Sequence, residues 1–77
     1  MWSEGIIACP TTGGMYRYWV KYYGEGSQHG IDGGKVSKLT IRKDGGNRDL
    51  CNYSRGWDVE PTDEVRAVYD IILQKYN

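Results

Sequence analysis

Met15-Tyr16-Arg17-Tyr18-Trp19-Val20-Lys21-Tyr22-Tyr23 packs six aromatic or β-branched side chains into nine residues. Such residues fit a pleated, half-buried surface better than a helix, so the stretch is expected to be a strand over 15–23. Period-two alternation puts Tyr16, Tyr18, Val20 and Tyr22 on one face and Arg17, Trp19, Lys21 and Tyr23 on the other. The first set is the more apolar and is expected to face a core.

On its N-terminal side, residues 2–9 alternate Ile6 and Ala8 against Ile7 and Cys9, and Pro10-Thr11-Thr12-Gly13-Gly14 supplies turn chemistry, so a hairpin is expected. On its C-terminal side, after a long glycine-rich link, residues 36–43 set Ser37, Leu39 and Ile41 against Lys38, Thr40 and Arg42. That is the pattern of a half-buried antiparallel strand. Asp44-Gly45-Gly46-Asn47 offers the positive φ of a tight hairpin, and residues 50–54 make a short fourth strand. Residues 55–61 read as an irregular connector. Pro61-Thr62-Asp63-Glu64 then announces a helix over about 62–76, with Thr62 as N-cap and acids in the first turn. Val65, Val68, Tyr69, Ile72 and Tyr76 recur at spacings of three and four, a stripe suited to lie across a sheet. The expected fold is therefore a single α+β domain, an antiparallel four-stranded sheet with one C-terminal helix on one face (ββββα).

The link, Gly24-Glu25-Gly26-Ser27-Gln28-His29-Gly30-Ile31-Asp32-Gly33-Gly34-Lys35, is the oddest stretch. Strand-to-strand links usually run to about two to five residues. Five glycines make this one entropically costly to order, so it is either tied down internally around Ile31 or is a ligand loop. Gly34-Lys35 leads to Val36, not Ser or Thr, which breaks the phosphate-cradling P-loop pattern, and no helix follows for a dinucleotide motif. As a binding loop, Gly26, Ser27, His29, Asp32, Gly33, Gly34 and Lys35 would hold a small nucleotide-like anion in a nest of amides. Ser27, His29 and Asp32 are the residue types of a triad, but six residues of one loop lack the rigid support that nucleophilic catalysis needs. Glu25, Asp32 and Asp58 show no metal-ligand spacing. No cofactor, metal or enzymatic activity is expected.

Seventy-seven residues with ten basic and ten acidic side chains form one small, formally neutral domain. That balance argues against nucleic-acid binding by bulk charge. The charge is nevertheless uneven: residues 1–57 hold eight basic and five acidic groups, net +3, and residues 58–77 hold two and five, net −3. No apolar run reaches the roughly 18 residues of a membrane span, and the first residues lack signal-peptide character, so a cytoplasmic protein is expected. Cys9 and Cys51 lack metal spacing and read as small buried thiols.

A helix on one face leaves the other bare, and a bare face carrying aromatic and basic residues is a docking surface for another protein or a homodimer contact. The candidate contact residues are Arg17, Trp19, Lys21, Tyr23, Lys38 and Arg42, with Arg55 and Trp57 from the connector. Trp57 is equally placed to close the core beneath the helix start. Cations around an aromatic also suit single-stranded nucleic acid, although Lys and Arg are ordinary strand surface residues. Protein binding is the leading reading, with the loop ligand and nucleic acid as alternatives.

The string from Gly26 to Leu39, with Tyr53-Ser54-Arg55-Gly56-Trp57-Asp58-Val59-Glu60-Pro61, resembles a family of small uncharacterised proteins of Gram-positive bacteria and their phages. The resemblance extends over nearly the whole chain, from Trp2-Ser3-Glu4-Gly5 to the last helix. It implies a phage or mobile-element accessory protein that acts on a host protein, for instance as an inhibitor of host defence such as an anti-CRISPR. The family has no activity to carry over. This sequence departs from the family's pattern at Tyr22-Tyr23-Gly24, where an acidic residue is expected before Glu25.

Overall fold

The alternation in the first half of the chain produces long strands with one apolar face each. The computed structural model, which describes residues 1–77, contains β1 (Trp2–Ala8), β2 (Met15–Tyr22), β3 (Val36–Lys43), β4 (Asp49–Ser54) and β5 (Trp57–Val59). A 3-10 turn over Asp63–Val65 precedes α1 (Arg66–Tyr76). The strands form one antiparallel sheet in the order β1-β2-β3-β4-β5, a meander in which every neighbour in sequence is a neighbour in space. The α+β class and the C-terminal helix agree with expectation. The sheet, however, has five strands, not four.

The extra strand comes from the connector. Ser54 donates its N–H to the Gly56 carbonyl and Arg55 takes a positive φ of 59°, which turns the chain back along β4 within two residues. Val59 then pairs with Asn52, and Trp57 with Tyr53. Three residues are too few to display a period, which is why the sequence shows only an irregular link.

Tyr16, Tyr18 and Val20 of β2, Leu39 and Ile41 of β3, and Cys51 and Tyr53 of β4 are buried under Val65, Val68, Tyr69 and Ile72. Each fully buried aliphatic side chain contributes about 1.5–3 kcal/mol. Leu50 is buried beside Cys51 because the β3–β4 register slips between Ile41 and Arg42. The helix begins later than the expected residue 62. Thr62 has the extended backbone of a cap but makes no side-chain capping bond, and its hydroxyl is buried without a partner. What secures this entry is Glu64, whose carboxylate accepts a hydrogen bond from the Tyr16 hydroxyl at 2.7 Å. Opposite, the Tyr76 ring lies against Tyr22 and its hydroxyl meets those of Ser3 and Tyr18. No helix is long and apolar enough to cross a membrane.

Candidate functional site

The helix covers one face of the sheet, so the even-numbered residues of β1 and the odd-numbered residues of β2 stand on the other. Register carries this across the strands in rows. Trp2, Lys21, Lys38 and Ser54 form one row; Glu4, Trp19, Thr40, Asn52 and Val59 the next; Ile6, Arg17, Arg42 and Asp49 the third. Ala8 and Met15 complete the face at the hairpin end. Trp19 sits near the middle. Trp2, Ser3, Glu4 and Trp19 line a shallow cavity of about 430 Å³, and Trp19, Thr40 and Arg42 line a second of about 160 Å³.

Three of the four cations on this face, Arg17, Lys21 and Arg42, are held in two different ways. The Arg42 guanidinium lies 5.6 Å from the Trp19 ring and donates to Asp49 at 2.6 Å, while Asn52 donates to the other Asp49 oxygen at 2.7 Å. Those bonds from Asn52 and Arg42 hold the Asp49 carboxyl below its usual range. Arg17 faces Asp44 at 3.7 Å, with both side chains well exposed. Lys21 instead stands over two aromatic rings, 5.8 Å from Trp2 and 5.7 Å from Tyr23, and its ammonium pulls the Tyr23 hydroxyl pKa down, with Arg55 adding to the effect.

Of the expected contact residues, Arg17, Trp19, Lys21, Lys38 and Arg42 therefore share one surface, and Tyr23 and Arg55 border its upper rim. Trp57 does not. It lies on the helix side, edge-on to Tyr53 at 4.9 Å and 5.8 Å from Tyr69, with 40% of its surface exposed. This follows from its pairing with the inward Tyr53, and it makes Trp57 the lid on the core that the alternative reading of this residue described.

Three large apolar residues exposed on the face were missed by sequence reasoning: Trp2, Ile6 and Met15, exposed by 61%, 48% and 45%. The signal was present. It lay in the hairpin register: pairing Trp2 with Lys21 turns the even residues of β1 outward, and a slip of one residue would have turned them in.

The glycine-rich loop is closed on itself. Ser27, Gly30, Gly33 and Gly34 donate their N–H groups to Gly34, Ser27, Gly30 and Ile31 carbonyls, and His29 donates its own N–H to the Ser27 hydroxyl. Ile31 is buried within a short 3-10 turn, Ile31–Gly33, and Asp32 has a φ of 52°. Tyr53 donates to the His29 carbonyl at 2.8 Å. The Asn77 amide accepts from Val36 N–H at 3.0 Å and donates to the Ile31 carbonyl at 3.2 Å. The amides of Gly33 and Gly34 thus serve the loop, and Gly26 and Gly30 pack so closely on the carbonyls of Gly33 and Gly34 that a Cβ would collide. Asn77 carried no signal as a latch, because it meets the loop only through the tertiary fold. His29, Ser27 and Asp32 do not assemble as a triad: the Ser27 hydroxyl is engaged by a backbone amide, and the His29 ring lies beside Gln28. Glu25, Asp32 and Asp58 form no cluster able to hold a metal ion.

No curated protein and no solved structure matches this chain. A family model described as "Domain of unknown function (DUF7678)" matches residues 1–77, and the chain belongs to that family.

Proposed function

We propose that the chain is a non-enzymatic module that docks another protein on the open face of its sheet. The observation that supports this best is the composition of that face: Trp2, Ile6, Met15 and Trp19 lie among cations, of which Arg17 and Arg42 already face carboxylates. Tryptophan and arginine dominate protein interface energetics. A phosphate-binding surface would leave its arginines free for the backbone it neutralises. In the phage or mobile-element setting that the sequence resemblance implies, the partner is a host protein, and inhibition of a host-defence enzyme such as a CRISPR effector is the action it offers.

Size adds a constraint. Four strands about 4.8 Å apart and about 25 Å long present on the order of 500 Å². A stable interface needs roughly 800 Å² from each partner. The partner is therefore expected to reach beyond the sheet, onto the rim formed by Tyr23 and Arg55 or past β1.

A photo-crosslinker placed at Thr40 is expected to capture a defined protein in the producing cell, and the same group at Gln74 on the helix is not. With the captured protein purified, Trp19→Ala and Lys38→Glu should each weaken binding at least tenfold. Equal capture from both positions, or binding indifferent to both substitutions, would rule the reading out.

A further inference from the structure

We infer that two copies of the chain associate through antiparallel pairing of β1 with β1, joining their sheets into one of ten strands. The direction of the β1 backbone carries this. Met1 and Tyr22 exchange both N–H to carbonyl bonds, at 2.8 and 2.9 Å, and Cys9 donates to Gly14 at 2.8 Å. In an antiparallel ladder such bonded pairs alternate with unbonded ones. By the β1–β2 register, Met1, Ser3, Gly5, Ile7 and Cys9 then point their backbone groups at β2. Trp2, Glu4, Ile6 and Ala8 point theirs outward, along an edge where all four residues are exposed.

Exposed strand edges are normally blunted by Lys, Pro, a bulge or short length. The other edge, β5, has three residues and is followed by Glu60 and Pro61. β1 has seven residues, pairs with β2 without a register shift, and contains no Lys, Arg or Pro. Glu4 is its one charged residue, and it is the longer and less protected edge of this sheet.

A second copy fits that edge in one register better than in others. With Gly5 opposite Gly5, Trp2 faces Ala8 of the second copy and Glu4 faces its Ile6, so every outward backbone group on both strands finds a partner. A shift of two residues one way sets Glu4 against Glu4. A shift the other way leaves Trp2 unpaired. In the favoured register the small Ala8 leaves room for the Trp2 ring to lie toward Met15, its β2 neighbour, in the second copy. The arrangement is isologous and closes as a dimer. It also doubles the open face to the order of 1,000 Å². It stands whether or not a partner protein docks there, because its test reads mass and cross-links alone.

Sedimentation equilibrium of the full chain should show twice the 8.8 kDa monomer mass. Ile6→Pro removes an outward N–H and no bond to β2, and Ile6→Lys places a charge on the same edge. Both are expected to sediment as monomers with an unchanged far-UV spectrum, while Ile71→Lys on the helix stays dimeric. In a thiol-exchange buffer, a mixture of Glu4→Cys and Ile6→Cys chains should give the mixed cross-link and neither variant alone a homodimer. A wild-type chain that remains monomeric up to millimolar concentration, a dimer that survives both Ile6 substitutions, or one dissociated by Ile71→Lys would overturn the proposal. Cross-linking of either variant with itself would overturn the register.

Discussion

Two cysteines of like type occupy opposite chemical environments. The Cys9 thiol, beneath the first hairpin turn, is lowered to about 7 by hydrogen bonds from Thr11 and Thr12. Burial opposes this shift, but it is the weakest of the influences on the thiol. Cys51, fully enclosed by the sheet and helix, is pushed up to about 12 by burial. Both thiols are buried, so alkylation of the native chain near pH 8 waits on local opening, and fraying at the hairpin end is expected to mark Cys9 before Cys51, read by peptide mass. The same burial has a consequence for stability. Tyr69 is also raised to about 12, mainly by burial. Both groups stay protonated in the folded chain after the unfolded chain has lost those protons, above pH 9 for the thiol and 10 for the phenol. The contribution of these two groups is constant below pH 9 and falls between pH 9 and 12, by about 1.4 kcal/mol per pH unit for each fully linked proton, whereas the lowered Cys9 thiol adds stability as pH rises from 7 to 9. Urea midpoints that stay level from pH 9 to 11 would contradict this.

Among the elements, the loop over residues 24–35 depends on partners distant in sequence. Asn77→Ala leaves the Val36 N–H and Ile31 carbonyl without their amide, and a loss of about 1–3 kcal/mol is expected, with faster amide exchange in residues 27–36. Tyr53→Phe, which removes one bond to the His29 carbonyl, should cost about 1 kcal/mol. Gly34→Ala tests the same junction from the other side, because its Cβ would run into the Asn77 side chain. If thermal denaturation shows all three at wild-type stability, the latch is not holding the loop. Here the sequence offered two readings, a self-tied loop or a ligand nest, and could not choose between them. Glycine content reports the freedom of a backbone, whereas the carbonyls that its amides meet depend on a path set partly by Tyr53 and Asn77. β5 was hidden for a related reason: its pairing is local, but three residues carry no periodic signal.

For the molecule as a whole, the decisive asymmetry is a sheet covered on one side. Wild-type protein is expected to pass through an immobilised single-stranded oligonucleotide at moderate salt. A variant with Asp44→Ala and Asp49→Ala, which frees Arg17 and Arg42, should be retained at low salt and released as salt rises. Strong wild-type retention would favour the nucleic-acid reading of the face over protein docking. The five candidate residues of β2 and β3 on this face, Arg17, Trp19, Lys21, Lys38 and Arg42, were legible because strand alternation is a local steric property. Trp57 was drawn away from them by its pairing with Tyr53.

By itself the sequence determined which side chains of β2 and β3 point inward, that the last segment is an amphipathic helix, and that a glycine-rich loop joins the central strands. These are consequences of backbone geometry acting over a few residues. Only the tertiary structure decided that the sheet has a fifth strand, that Asn77 and Tyr53 tie the loop, and that β1 ends the sheet with four residues turning their backbone groups outward. Each of those depends on which segments become neighbours, a choice made by burial of the shared core and not by any one stretch of chain.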